Sequence, residues 1–250
     1  MAETQAELRQ KAENDLVLSF LAVRRAIGYL GFFLPVVLIL YGILSADGIL
    51  NSISAYYYSP MREILVGTLC AQAVFLWSYE GYRPLTPQLL TDQNIARLAA
   101  IGALGIALLP TAEDLVYENP AGAPVTVEQP VDCTVAQCVL GEGVTALLHL
   151  ASAGIFFGAL AIFCLVLFVR GSRETAEKRA RQRIYRICGW VILAALAAMA
   201  AILVFDPEGR LSALRPIFWL ETLACFAFAT SWTVKGRRMR PLVRMAQEAT

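Results

Sequence analysis

The chain has 250 residues, of which 58% are hydrophobic and only 16% charged. Soluble domains run at about 45–50% apolar and about 25% charged, so this balance excludes an ordinary water-soluble fold. The formal net charge of +1 hides a strong segregation of charge along the chain, and placement carries more information than the total.

Leu8, Ala12, Leu16, Phe20, Val23 and Ile27 recur at helical spacing. Residues 1–25 therefore read as an amphipathic helix on the cytoplasmic membrane surface or as an extension of the first span. Apolar blocks follow at 26–44, 61–79, 94–110, 143–169, 186–205 and 215–234. Each is near the roughly 20 residues a bilayer core requires. Their continuity favours helices over an alternating barrel pattern, because backbone polar groups in lipid must be bonded internally. The predicted fold is all-α: one polytopic bundle of six transmembrane helices over 26–234, followed by a basic tail at 235–250. The first block follows a polar stretch and is long enough to span, so it reads as a helix rather than a removable signal peptide. Pro35 predicts a kink within it.

Basic residues set the orientation. Residues 1–25, 170–186 and 235–250 hold sixteen of the 21 Lys and Arg, and six spans place all three segments on one side. The loop 111–142 has no Lys or Arg but carries Glu113, Asp114, Glu118, Glu128, Asp132 and Glu142. The positive-inside rule then puts both termini in the cytoplasm, and the reading is a multi-pass protein of the plasma (inner) membrane. The loop 111–142, with Pro120, Pro124 and Pro130, is expected to be irregular. Its Cys133 and Cys138 suit a disulfide in an oxidising compartment; Cys70, Cys164, Cys188 and Cys225 lie in apolar blocks, as small hydrophobes do.

The candidate chemistry gathers at the outer end. His149, the only histidine, sits six residues into the fourth span, and Glu221 lies six residues past Arg215 in the sixth. Both are about 9 Å below the outer boundary at helical rise, and such intramembrane groups usually face the bundle interior. Thr145, His149 and Ser152 share one stripe of their helix, and Glu221 with Cys225 makes a shorter one. The segment 51–63 brings hydroxyls, three consecutive tyrosines and Arg62 to a helix N-terminus, a favourable setting for an anion.

We read Ser52, Ser54, Tyr58, Arg62, His149 and Glu221 as lining an outward-facing pocket for a lipid headgroup or small polar ligand. The competing reading makes the tyrosines an interfacial belt, with Glu221 neutralised by Arg62, Arg215 or His149. Two further classes stay open. One is a metal-independent hydrolase or transferase with His149 and Glu221 in acid–base roles and Ser52 or Ser54 as nucleophile. The other is a transporter, which the lack of a detectable inverted repeat disfavours.

A single histidine argues against a multi-histidine zinc centre, and neither a metal nor a cofactor is implied. Gly154 and Gly158, with the alanine-rich 194–201 stretch, suit close helix packing within the chain or in a homo-oligomer. On the inner side, Glu80 with Arg83 or Arg97 suggests an ion-pair cluster. The basic segment 170–186 suits anionic membrane lipids as partners rather than nucleic acid.

Four short stretches carry a resemblance. They are the run Ser52-Ile53-Ser54-Ala55-Tyr56-Tyr57-Tyr58-Ser59-Pro60-Met61-Arg62-Glu63, the run Leu109-Pro110-Thr111-Ala112, His149, and Phe218-Trp219-Leu220-Glu221. This pattern resembles uncharacterised bacterial six-helix membrane proteins and, more distantly, the Frag1/DRAM/Sfk1 group of six-span proteins. The resemblance spans 26–234 and implies a role in lipid homeostasis or regulation rather than a defined reaction. The ceramidase and adiponectin-receptor hydrolases differ at the decisive point, because this chain lacks the several histidines that hold their zinc.

Overall fold

The computed structural model describes residues 5–82, 88–111, 133–170, 175–206, 210–236 and 240–248, with residues 5–20 and 240 described as backbone alone. Eight α-helices are present among the described residues, and no strand. They are α1 (Gln5–Leu44), α2 (Arg62–Trp77), α3 (Asp92–Leu108), α4 (Val135–Leu140), α5 (Glu142–Ile162), α6 (Ala176–Phe205), α7 (Pro216–Lys235) and α8 (Arg240–Glu248). Their starts follow local chemistry. Thr91 and Thr175 accept the Asn94 and Lys178 N–H groups, and Pro216 occupies the first turn of α7, where its missing N–H costs nothing.

Four stretches are long and apolar enough to cross a membrane: Leu21–Leu44, Glu142–Leu167, Ala176–Phe205 and Ser212–Lys235. With 16 and 17 residues, α2 and α3 are shorter, about 24 and 26 Å at helical rise. The long helices expose Phe33, Leu40 and Ile43 of α1, Leu147 and Leu150 of α5, and Ile187, Trp190 and Val204 of α6. An outer surface this apolar is compatible with an integral membrane protein.

Six helices close a ring in the order α1, α2, α3, α5, α6, α7 and back to α1. Its interior is aromatic where α2, α5 and α7 end. Trp232 is fully buried, with its ring centroid 4.9 Å from that of Tyr79, 5.1 Å from Phe163 and 5.3 Å from Phe168. A π-helical turn over Phe163–Leu167 makes this possible. Its wider turn brings residues five apart onto one face, so Phe163 and Phe168 both reach the tryptophan.

Glycines set the closest helix approaches. A Cβ on Gly102 of α3 would lie 2.8 Å from the Phe156 nitrogen and 2.9 Å from the Ser152 oxygen of α5. On α1, a Cβ at Gly28 would lie 2.7 Å from Thr233 of α7. Gly154 and Gly158, expected to serve helix packing, meet nothing within 4 Å. Their pair faces away from the ring, because the inward side of α5 is taken by Thr145, His149, Phe156 and Phe157.

Both terminal segments are helical. Residues from Gln5 onward continue directly into α1, which corresponds to the extension rather than a separate surface helix. The basic tail contains α8, which packs on α6 and buries Val243. The basic run 170–186 likewise becomes, from Ala176, the first turns of α6.

Gly102→Val should destabilise the protein by about 1–3 kcal/mol through overpacking against backbone that cannot withdraw. Gly154→Val should stay within about 0.5 kcal/mol. Thermal melting in detergent distinguishes the two; equal melting temperatures would contradict the packing described.

Candidate functional site

Between α1 and α2 the chain turns at Gly48, where φ is +70°, and folds back over the end of the ring. Residues Ser54–Tyr58 form a 3-10 turn in which Ala55, Tyr56, Tyr57 and Tyr58 are all buried. Backbone groups placed there lose water and must find partners in the protein.

The bonding of this loop accounts for most of its polar residues. Glu221 Oε2 accepts the Ile53 N–H at 2.5 Å, and the Asn51 carbonyl accepts the Phe218 N–H at 3.0 Å. The Tyr56 hydroxyl accepts from the Leu50 N–H and donates to the Leu38 carbonyl, both at 3.3 Å. Burial pushes the Tyr56 phenol above its ordinary pKa, which keeps the proton needed for that second bond. Ser52 Oγ accepts the Ala55 N–H at 2.9 Å. The Tyr58 hydroxyl donates to the Thr111 carbonyl at 2.6 Å and accepts from Gln137 Nε2 at 2.8 Å. The three tyrosines thus point inward, not into an interfacial belt.

His149 is 7% exposed and bridges three elements. From α5, its Nδ1 lies 2.6 Å from the Leu109 carbonyl at the end of α3, and its Nε2 lies 2.8 Å from Ser54 Oγ in the loop. Glu221 and His149 therefore converge on consecutive loop residues, Ile53 and Ser54. Among the described residues, no ion pair joins Glu221 to His149, Arg62 or Arg215.

Arg62 is half-buried at the start of α2. Its Nη2 donates to the Tyr57 hydroxyl at 3.1 Å, and its guanidinium carbon lies 4.5 Å from the Tyr57 ring centroid. No carboxylate pairs with it among the described residues. Arg215 stands at the start of α7 in the left-handed conformation, φ 50°. Asp206 caps a turn, accepting the Arg210 and Leu211 N–H groups at 2.9 and 2.8 Å. Asp114 lies outside the described residues. Asn51, Ser52, Ser54, Ser59, Arg62 and Arg215 are only partly buried, so this end of the ring presents hydroxyls and guanidinium groups together, a set suited to an anion.

Cys133 and Cys138 are joined by a disulfide, with Cα atoms 5.5 Å apart. The bridge brackets the start of α4, which opens with a Thr134–Gln137 capping box. Gln137 uses Oε1 for the cap, at 3.0 Å from the Thr134 nitrogen, and Nε2 for Tyr58. The disulfide-bearing segment is thereby tied to the loop.

A second polar cluster occupies the opposite end of the ring, where the sequence suggests only Glu80 with Arg83 or Arg97. Arg97 instead lies over the Trp77 ring, 5.5 Å from its centroid, and Arg83 is outside the described residues. The buried Tyr79 hydroxyl receives Arg24 Nη2 at 3.1 Å and lies 3.4 Å from Asp92 Oδ2, which accepts the Tyr82 N–H at 3.1 Å. The Lys235 ammonium sits 4.7 Å from the Phe168 ring centroid. Gly81, with φ +63°, makes the turn around Asp92. The signal available in the sequence is an isolated glycine among aromatic residues, a short way before an aspartate at a helix start.

No family model, curated protein or solved structure matches this chain.

Tyr56→Phe should cost about 1–3 kcal/mol, because it leaves the buried Leu50 N–H without its acceptor; an unchanged melting temperature would contradict this. Alkylation before and after reduction should differ by two modified thiols, both mapped to Cys133 and Cys138. Full modification without reductant would contradict the bridge.

Proposed function

We propose that the protein is a six-span membrane protein of the plasma (inner) membrane, with cytoplasmic termini, that holds an anionic lipid headgroup at its outer mouth. The ring of six helices supports the span count, since α2 and α3 complete it although they are shorter than their neighbours. Local bilayer thinning and flanking anchors accommodate such helices. The distribution of Lys and Arg supports the orientation, and the disulfide fits an outer side. The resemblance to six-span lipid-homeostasis proteins points the same way.

One observation carries the ligand class: Arg62 is half-buried against Tyr57 with no described carboxylate to neutralise it. A cation in this position, beside partly exposed Ser52 and Ser54, matches the chemistry of a phosphate-bearing headgroup. Tyr58 enters this reading as a support, because its hydroxyl is already engaged with Thr111 and Gln137. His149 and Glu221 form the floor by holding the loop.

Native mass spectrometry of the purified protein tests the proposal. Wild type should retain a discrete anionic lipid, and Arg62→Ala should lower its occupancy at least about tenfold, the worth of one charge-assisted hydrogen bond. Arg97→Ala, at the opposite end, should retain it. Identical lipid adducts on wild type and Arg62→Ala would reject the headgroup site.

A further inference from the structure

The hydrogen bonds around His149 fix the tautomer of its neutral ring. The Leu109 carbonyl oxygen can only accept, so Nδ1, 2.6 Å away, carries the proton. Nε2 then offers a lone pair, and the Ser54 hydroxyl, 2.8 Å away, donates to it. A hydroxyl, a base and a third group orienting that base constitute the arrangement that activates a serine nucleophile. The orienting group here is a main-chain carbonyl.

Accessibility divides between the two partners. His149 is buried, whereas Ser54 is partly exposed at the mouth. Glu221, bonded to the N–H of the preceding residue, Ile53, acts as a positioning residue for the serine backbone. A clamp that merely fastened the loop would need two hydrogen bonds at this place, which a glutamine amide also supplies. It would need neither a basic nitrogen facing the hydroxyl nor a partly exposed serine.

We propose that Ser54 is a nucleophile and His149 its general base, for acyl transfer from a carboxylic ester of a membrane lipid. Ser54 Oγ attacks the ester carbonyl while its proton passes to His149 Nε2. The tetrahedral adduct expels the alcohol, which takes that proton, and the acyl group remains on Ser54. Water then attacks the acyl-serine with His149 again as base, releasing the carboxylic acid and restoring the serine. The lipid substrate class rests on the headgroup reading above; the serine–histidine dyad does not.

A soluble fluorophosphonate probe tests the dyad in the full chain. One adduct should form on Ser54: the Oγ–P bond forms, the P–F bond breaks and fluoride leaves. Ser54→Ala should abolish it, Ser78→Ala, at the opposite end of the ring, should label at the wild-type rate, and folded His149→Gln should label about 100-fold more slowly or worse. Folded wild type that remains unlabelled, an adduct on another residue, or wild-type labelling of His149→Gln would overturn the dyad. Fatty-acid release from phosphatidylglycerol vesicles, lost in Ser54→Ala, would support the lipid ester. Labelling without such release would overturn that substrate class and leave the dyad standing. Arg62→Ala that loses lipid binding yet keeps labelling would show the two readings to be separable.

Discussion

The bond from Glu221 to the Ile53 N–H joins residues 168 positions apart, and the loop end of the molecule depends on it. A polar loop folded onto an apolar bundle cannot leave its backbone unpaired, at a cost of about 1–3 kcal/mol for each buried orphan group. Nearby side chains meet that requirement in concert. Glu221 takes Ile53, Tyr56 takes Leu50, and Ser52 takes Ala55. His149 holds the adjoining serine to α3 and α5. The loop is held partly by its own Tyr56 and Ser52 and partly by groups lent from the distant helices α5 and α7.

This arrangement gives the two ends of the ring different characters. At one end, polar side chains converge on main chain, leaving Arg62 and Arg215 as cations without described acidic partners. At the other, charged and aromatic side chains converge on one another, through Arg24, Tyr79, Asp92 and Lys235. The aromatic cluster around Trp232 belongs to this second end, since Tyr79 is one of its rings and Lys235 lies over Phe168. The rings around Trp232 are packed edge to face, an arrangement favoured by their quadrupoles.

The helical class is legible because apolar continuity is a property of the sequence itself: blocks such as 143–169 have no other stable form in lipid. The gathering of Ser54 and His149 at one end also follows from counting helix lengths. What the sequence does not reveal is direction around each helix. Equal depth suggests Glu221 and His149 as partners, yet each turns to a different loop residue. Gly154 and Gly158 satisfy a packing motif, but the register of α5 directs them outward. The cluster at Asp92 escapes a sequence reading because its members come from separate segments, and only Gly81 departs from the local pattern.

The order in which the chain is made adds a consequence to the long-range anchoring of the loop. Ile53 and Ser54 emerge early, His149 follows much later, and Glu221 arrives only with the last helix of the ring. Until then the Ile53 N–H lacks its native acceptor, so an unfinished chain carries an open polar seam near its first helix. Arrival of α7 closes that seam and completes the ring in the same event. A chain lacking the final helix would therefore differ from a finished one at residues made far earlier, Ile53 among them.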